Sequence, residues 1–342
     1  MKPKDRRIIF IGSVILGGTL LISSLIKRSR KFEFKGKKVL ITGGSRGLGL
    51  NLAKKLATQG AEIAIVARNH DVLENAKSDI EKHSKLPVHI YSCDLKDRNQ
   101  VIAMSDYFVN KFGSVDVLIN NAGIMQVGPE NSTTIDDFDD AMNTHFWAPL
   151  LLTRAVIPGM KEKKSGRIIN ISSIGGKISV PHMIPYSASK FALTGLSEGF
   201  HAELKKDNIY VTTVCPGLMR TGSYRNAMVK GNNKNEFAVF SILANSPVTS
   251  ISVDCAANKI INSSKYGCAE VSLSLQSRIA TMLHGVSPSI TSFLMSLINT
   301  ILPSSNTGDK KSYKGFESES KWSKSALTLL GQLAAKRNNQ FN

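Results

Sequence analysis

The sequence predicts an α/β domain built around a parallel sheet, with an apolar segment before it and a helical extension after it. Residues 39–67 run from a short apolar stretch through a glycine-rich turn and an amphipathic stretch to a second apolar stretch. That order is typical of a βαβ unit. Residues 8–26 carry no charge, and the residues after the last predicted strand return to helical spacing. These three observations set the predicted boundaries at residues 1–33, 34–280 and 281–342.

The composition is that of a globular chain with a strong positive charge. Hydrophobic residues make up 42% and charged residues 20%, so the chain can bury a full core. The net charge of +18 suits general solubility, a membrane surface or a phosphorylated cofactor. Nucleic acid is not an expected partner, because the chain has no recognisable nucleic-acid-binding motif. The four cysteines are scattered without a C-x-x-C pair, so we expect no metal site and no disulfide framework.

Residues 8–26 have the length of a membrane-spanning helix. At about 1.5 Å per residue, such a helix would span roughly 28 Å, close to the hydrocarbon thickness of a bilayer. The run ends in LIKRSRK rather than in a small-x-small cleavage site, which favours an uncleaved anchor over a signal peptide. Seven basic residues follow the run and four precede it. The positive-inside bias therefore predicts a single-pass anchor with the following domain in the cytoplasm.

The glycine-rich turn of the βαβ unit predicts a dinucleotide site. Glycines allow the tight turn and the approach of a phosphate, and the next helix would point free N–H groups at a pyrophosphate. These glycines are Gly43, Gly47 and Gly49. A P-loop is excluded, because the Lys and Ser/Thr that it requires are replaced by Leu50 and Asn51.

Two arginines indicate which dinucleotide is bound. An acidic residue at the end of the second strand would select NAD by binding the ribose 2′-hydroxyl. This chain has Arg68 there, and Arg46 lies in the glycine turn. Two guanidinium groups would form charge-assisted bonds with a 2′-phosphate. We therefore predict NADP(H), with NAD(H) as the less favoured cofactor.

Three motifs together resemble the classical short-chain dehydrogenase/reductase family. They are T-G-x-x-x-G-x-G at residues 42–49, N-N-A-G at 120–123 and Y-x-x-x-K at 186–190, and the match covers about residues 34–275. The resemblance implies a Rossmann-type sheet of seven parallel strands with the cofactor across their carboxyl ends. It also implies hydride transfer between a carbonyl and an alcohol carbon. Family members are often dimers or tetramers, but nothing in the sequence fixes the number.

The resemblance implies four catalytic residues. Tyr186 would exchange a proton with the substrate oxygen, and Lys190, one helical turn later, would lower the phenol pKa from its usual value near 10. Ser173 would polarise the substrate carbonyl. Asn143 would hold a water of the proton relay. His145 is expected to pack or to meet solvent rather than to react.

The resemblance also implies a set of cofactor contacts. Asp94 would contact the adenine, Asn121 and Gly123 would line the adenine-ribose side, and Thr221 would bind the carboxamide. The complete set is Thr42, Gly43, Ser45, Arg46, Gly47, Leu48, Gly49, Arg68, Asp94, Leu95, Asn121, Gly123, Tyr186, Lys190, Pro216, Gly217 and Thr221.

The remaining segments suggest an apolar substrate side and a helical extension. Apolar residues between Ser173 and Tyr186 would line a hydrophobic pocket. They are Ile178, Val180, Met183 and Ile184. Residues 222–245 are expected to form a flexible substrate loop, and residues 304–320 a linker. A helix beginning at Ser287-Pro288 carries an apolar stripe, which we expect to pack on the domain or on a second subunit rather than in a membrane interface.

The leading hypothesis is a membrane-bound oxidoreductase of lipid metabolism. The short spacing between anchor and domain would hold the pocket near the bilayer, which favours a lipid-, steroid-, retinoid- or quinone-like substrate over a water-soluble or carrier-bound acyl substrate. The alternative is a catalytically idle NADP(H)-binding sensor or scaffold. It is less favoured, because the chain retains Asn143, Ser173, Tyr186 and Lys190.

Overall fold

The computed structural model describes residues 29–304, 309–325 and 328–341. The anchor predicted at residues 8–26 lies outside the described residues and stays a prediction. Within the described ranges, no helix has both the length and the hydropathy that crossing a bilayer requires.

A sheet of seven parallel strands forms the centre of the fold, in the order β11-β7-β6-β4-β1-β2-β3. This confirms the predicted Rossmann-type α/β architecture. The order reverses between β1 and β4, which opens a crevice at the carboxyl ends of the strands. The strands are β1 Lys38–Thr42, β2 Glu62–Ala67, β3 Val88–Ser92, β4 Val117–Asn120, β6 Gly166–Ile171, β7 Ile209–Cys215 and β11 Glu270–Ser272.

Helices cover both faces of the sheet, so its strands are buried on two sides and read as continuous apolar runs. Along β1, Ile41 packs into the core on one face and Leu40 into the core on the other. The first core lies under α1 Gly47–Thr58, α2 His70–Glu81 and α8 Val253–Lys265. The second core lies under α3 Arg98–Phe112, α5 Ala148–Glu162 and the end of α6 Ile184–Leu204. The short helix α4 Ile135–Met142 precedes α5.

Residues 222–245, predicted to be a flexible loop, contain regular structure. They include a short strand, β9 Met228–Val229, and a helix, α7 Asn233–Asn245. Phe237 and Ala244 of α7 pack with Tyr224 in a third, smaller core. The sequence did not predict this core, because only a few apolar residues form it and the segment is otherwise polar.

Two small sheets flank the main one. Strand β8 Leu218–Arg220 pairs with β10 Ser250–Ser252, and β9 lies between β5 Gln126–Val127 and β12 Tyr313–Lys314. Strand β12 lies in the segment predicted to be a linker. That prediction is therefore wrong at residues 313–318, where β12 pairs with β9 and Ser318 accepts a hydrogen bond from Asn233.

The helices α9 Leu275–Val286 and α10 Pro288–Asn299 form a pair that buries polar residues and exposes apolar ones. The predicted start at Ser287-Pro288 is confirmed. The only residues of the two helices that are buried are Ser277 and Thr291. The apolar side chains face outward, among them Phe293 and Leu297. The stripe therefore does not pack on the domain, contrary to the first of the two packing expectations.

The predicted boundary at residue 280 falls inside α9. Beyond it, the last helix, α11 Leu329–Arg337, returns to the domain, where Gly331 lies directly against Asn245 of α7. Residues 338–341 follow α11 and reach the carboxyl ends of the strands.

Candidate active site

Apart from Tyr186 and Lys190, which lie on α6, the predicted cofactor residues lie at or after the carboxyl ends of β1, β2, β3, β4 and β7, where they border the crevice. They are Thr42, Gly43, Ser45, Arg46, Gly47, Leu48 and Gly49 after β1, Arg68 after β2, Asp94 and Leu95 after β3, Asn121 and Gly123 after β4, and Pro216, Gly217 and Thr221 after β7.

The glycine turn between β1 and α1 can be formed only by glycine at its main positions. Gly43 has φ +65° and Gly47 has φ +59°, values that side chains with a Cβ rarely adopt. A Cβ on Gly49 would collide with the carbonyl oxygen of Gly43. The turn therefore holds the first N–H groups of α1 at the crevice.

Asn121 fixes this turn from the neighbouring strand. Its Nδ2 donates to the carbonyl oxygens of Thr42 at 3.0 Å and Gly43 at 3.1 Å. The Thr42 hydroxyl in turn accepts from the backbone N–H groups of Asn121 and Ala122 at 3.0 and 3.1 Å. The Asn121 amide thus serves the turn itself, a role that the predicted contact with the adenine ribose did not include.

The crevice has the features of a binding site for a phosphorylated dinucleotide. The N–H groups of Leu48 and Gly49, at the positive end of the α1 dipole, donate to no acceptor in the described part of the chain. Burial, followed by the charge of Arg68, lowers the pKa of Arg46. Neither arginine forms an ion pair with any described carboxylate. The residues present therefore fit an anionic cofactor.

Near β3, the backbone around Asp94 is held by its own side chain. The Oδ1 of Asp94 accepts from the N–H of Lys96 at 3.1 Å, and its own N–H donates to Gln100 at 3.0 Å. Leu95 is buried beside it. Asp94 lies just after β3 at the edge of the crevice, and its contact with the adenine stays a prediction.

Ser173, Tyr186 and Lys190 come together at the other end of the crevice. Ser173 follows β6, and the other two residues lie one turn apart near the start of α6. The Lys190 Nζ is 5.7 Å from the centre of the Tyr186 ring, and Ser173 forms a side-chain hydrogen bond with Tyr186. Gly175 packs against both Ser173 and Tyr186, where a side chain would crowd them.

Burial controls the electrostatics of this cluster. It raises the pKa of Tyr186, and the hydrogen bond from Ser173 opposes the rise. It also lowers the pKa of Lys190 to about 7. The expected lowering of the phenol pKa by Lys190 is therefore not found, because a lysine with that pKa carries only part of a charge at neutral pH. A nearby anion would restore the charge on Lys190.

The structure does not bring Asn143 into the cluster. Its side-chain oxygen accepts from Arg98 Nε and Nη2, both at 3.4 Å, on the outside of the helix. A π-helical turn at Asn143–Trp147 widens the helix here and directs a later residue inward. That residue is His145, which lies edge-on to the Tyr186 ring with 5.5 Å between centroids. The position predicted for Asn143 is thus taken by His145.

His145 is fully buried, and both of its ring nitrogens are used. Its Nε2 accepts from the backbone N–H of Ile124 at 3.1 Å. The hydroxyl of Ser189 donates to the carbonyl oxygen of Tyr186, so the His145 Nδ1–H donates to Ser189 Oγ, at 2.8 Å. Burial, together with the charge of Lys190, holds the His145 pKa well below its usual value. The ring is therefore neutral and positions Tyr186 rather than carrying protons. A π-turn leaves no sequence signal, so this residue was missed.

The segment after β7 closes the same end of the crevice. The carbonyl oxygen of Pro216 accepts from the N–H of Ile174 at 2.7 Å, which ties this segment to the one that carries Ser173. Thr221 is buried, and its hydroxyl donates to Ser223 at 2.8 Å. Gly217 lies directly under Ser277 at the start of α9. The apolar pair α9–α10 therefore begins beside the catalytic end of the crevice.

The four residues predicted to line a substrate pocket differ in how far they are buried. Ile178 is buried, Val180 and Met183 are partly buried, and Ile184 at the start of α6 is exposed. The four side chains thus do not form one buried apolar surface, and the substrate pocket stays a prediction.

The fold, the glycine turn and the Ser173–Tyr186–Lys190 cluster together define a nicotinamide-dependent oxidoreductase. The family model described as short chain dehydrogenase matches residues 37–230, more than half of the chain. The chain belongs to this family, which agrees with the resemblance of its motifs.

Individual relatives and structures agree with this assignment. The mouse 3-ketodihydrosphingosine reductase is 39% identical over 57% of this chain and 60% of its own length. The fatty acyl-CoA reductase of Acinetobacter baylyi is 33% identical over 79% of this chain and 87% of its own length. A metagenomic short-chain oxidoreductase solved in complex with NADP is 34% identical, covering 55% of this chain and 84% of that one, with a TM-score of 0.52. The match spans less than two thirds of the mouse enzyme, so the substrate in that enzyme's name does not establish the substrate of this chain.

Proposed function

We propose that this chain interconverts a carbonyl and an alcohol on a lipophilic substrate, with NADP(H) as cofactor, at a membrane surface. The observation that carries the proposal is the convergence of Ser173, Tyr186 and Lys190 beside a glycine turn that points free N–H groups into the same crevice.

The residues of the cluster can provide the proton chemistry of this reaction. When bound, the nicotinamide supplies the hydride for reduction and takes it up in oxidation. In reduction, Tyr186 Oη donates its proton to the substrate oxygen as the carbonyl carbon becomes tetrahedral. Ser173 Oγ donates a hydrogen bond to the same oxygen and stabilises its developing charge. Lys190, when charged, stabilises the phenolate that remains. His145 holds the backbone and ring of Tyr186 in place.

The choice of NADP(H) over NAD(H) rests on the two arginines. Burial, followed by repulsion from Arg68, lowers the pKa of Arg46, so the two charges lie close together without a counter-ion among the described residues. A 2′-phosphate would relieve this repulsion and accept hydrogen bonds from both side chains. The solved relative that contains NADP supports the same choice.

Two features support a lipophilic substrate and a membrane location. The apolar side chains of α9 and α10 remain in solvent beside the catalytic end of the crevice, with Val286 86% and Phe293 67% exposed. A monomeric soluble protein rarely exposes so large an apolar patch. The uncharged run at residues 8–26 would hold the domain at a bilayer. Two relatives are named as reductases of a sphingoid ketone and of a fatty acyl thioester, which supports a lipid-like substrate.

The test is NADPH oxidation by the full chain in detergent or lipid, with ketones and aldehydes of increasing alkyl length. We expect kcat/KM to rise with chain length, because each buried methylene adds to binding by about 0.8 kcal/mol. Tyr186→Phe should lower kcat by about 10³-fold, in the range of lost general acid catalysis, without weakening NADPH binding.

Tyr107→Phe is the matched control, since Tyr107 is an exposed tyrosine of α3. It should leave kcat unchanged. Full turnover by Tyr186→Phe would refute the assigned mechanism. A rate that does not depend on alkyl length would refute the lipophilic substrate class, and NADPH binding without any turnover would favour a sensor or scaffold.

A further inference from the structure

Residues 338–341, which follow α11, cross the mouth of the cofactor crevice. Their contacts lie on both sides of it. Asn338 and Asn339 reach the glycine turn after β1, and Asn338 also reaches the segment after β7. This segment therefore connects the adenosine side of the crevice with the nicotinamide side.

Asn338 is the centre of these contacts and is buried. Its carbonyl oxygen accepts from the N–H of Gly47 at 2.9 Å, and its Oδ1 accepts from Asn51 Nδ2 at 3.0 Å. Its own Nδ2 donates to the carbonyl oxygen of Thr221 at 3.3 Å. Asn339, in the left-handed region with φ +57°, donates from Nδ2 to the carbonyl oxygen of Ser45 at 3.1 Å. Four hydrogen bonds thus hold two residues across the crevice.

Gln340 points a free donor into the crevice. The side chain is 4% exposed, and its Oε1 accepts from Asn226 Nδ2 at 2.8 Å. The Nε2 group lies beside Gly47, 2.8 Å from the position that a Cβ of Gly47 would occupy. Across residues 29–304, 309–325 and 328–341, no hydrogen bond from this Nε2 to an acceptor is found. This amide N–H can therefore donate to a ligand that occupies the crevice beside Gly47.

The segment leaves the phosphate-binding groups of α1 available. Of the first N–H groups of α1, only that of Gly47 donates to Asn338, while those of Leu48 and Gly49 stay unbonded within the described ranges. The segment therefore lies over the turn and beside the place of a diphosphate, without filling that place.

We propose that residues 338–340 form a strap that closes over the diphosphate of bound NADP(H), with the Gln340 Nε2 donating a hydrogen bond to a phosphate oxygen. This inference rests on the proposed function, because it requires NADP(H) in the crevice. The strap must open for the cofactor to enter or leave. Gln340 is then a binding residue of the cofactor site, and Asn338 is the positioning residue that holds the strap closed.

The test is NADPH binding by the full chain, followed through the fluorescence of the reduced nicotinamide at equilibrium and in stopped flow. Asn338→Ala, Gln340→Ala and the double variant should raise the Kd for NADPH, the double variant by about tenfold or more, since hydrogen bonds to charged groups are among the strongest. The change should appear in the dissociation rate, because an open strap no longer retains the cofactor. Asn110→Ala, an exposed amide of α3, is the matched control and should bind NADPH as the wild type does.

A charge substitution separates a phosphate contact from a merely structural one. Gln340→Glu should weaken NADPH binding more than Gln340→Ala, and added salt should reduce this difference by screening the repulsion. Equal effects of Ala and Glu at this position would overturn the contact between Gln340 and a phosphate.

Other outcomes are also decisive. Unchanged binding in all strap variants, or tighter and faster binding as expected of a plug that blocks the crevice, would overturn the strap and leave the proposed function intact. A wild-type chain that does not bind NADPH would overturn both.

Discussion

The catalytic cluster and the strap region of the cofactor crevice are built in opposite ways. Ser173, Tyr186 and Lys190 are close in sequence and lie at the end of a central strand and on a long helix, to which the buried His145 is bonded through Ser189. The strap region joins residues that are far apart in the chain, since Asn338 is bonded to Gly47 and Thr221. Its contacts are single hydrogen bonds between amide and backbone groups. Chemistry thus depends on a rigid part of the fold, and cofactor retention on a part that can open.

Removing the positive charge from the catalytic cluster should have the largest effect on the rate. Lys190→Met should lower kcat by about 10³-fold, because burial already raises the pKa of Tyr186 and no ammonium group would then stabilise the phenolate. Steady-state kinetics at saturating NADPH measures this effect. Lys85→Met, at an exposed position, is the control. If the Lys190→Met variant retained most of the wild-type kcat, the cluster would not be the catalytic site.

The adenosine side of the crevice should respond in binding and not in kcat. Arg68→Asp should reduce the preference for NADPH over NADH by about 10² in the ratio of their Kd values, since it replaces an attraction to the 2′-phosphate by a repulsion. At saturating cofactor, kcat should stay close to that of the wild type. An unchanged ratio would refute the assignment of NADP(H) to Arg46 and Arg68.

The same contrast explains how much the sequence could predict. The βαβ unit and its glycine turn follow from local motifs and from apolar periodicity, whereas the seven-stranded sheet and the roles of Ser173, Tyr186 and Lys190 follow from the resemblance to the short-chain dehydrogenase/reductase family. The position of His145 beside Tyr186 could not be predicted. A π-helical turn changes which residue of the helix faces inward, and no characteristic residue composition marks such a turn. The strap could not be found either. Asn338, Asn339 and Gln340 read as an ordinary polar loop, and their role depends on tertiary contacts with residues far away in sequence.

The smallest effect concerns His145, whose burial links the cluster to the pH dependence of stability. Burial keeps the pKa of His145 well below its usual value in the folded chain. As pH falls below about 6.5, the unfolded chain takes up a proton on this residue before the folded chain does. Its contribution to stability is therefore present above that pH and is lost as the pH falls below it.

His145→Asn removes this titration and keeps a polar side chain in the place beside Tyr186. Between about pH 7 and about pH 5, the Tm of this variant should fall less than that of the wild type, by a few degrees. Its kcat should decrease by about tenfold, because a shorter side chain cannot reach both Ile124 and Ser189 and so positions Tyr186 less well. Thermal melts at several pH values, read with kcat, separate the two roles. A variant with the same pH dependence of Tm as the wild type would show that His145 is not held neutral, and the rigid character assigned to the cluster would lose its main support.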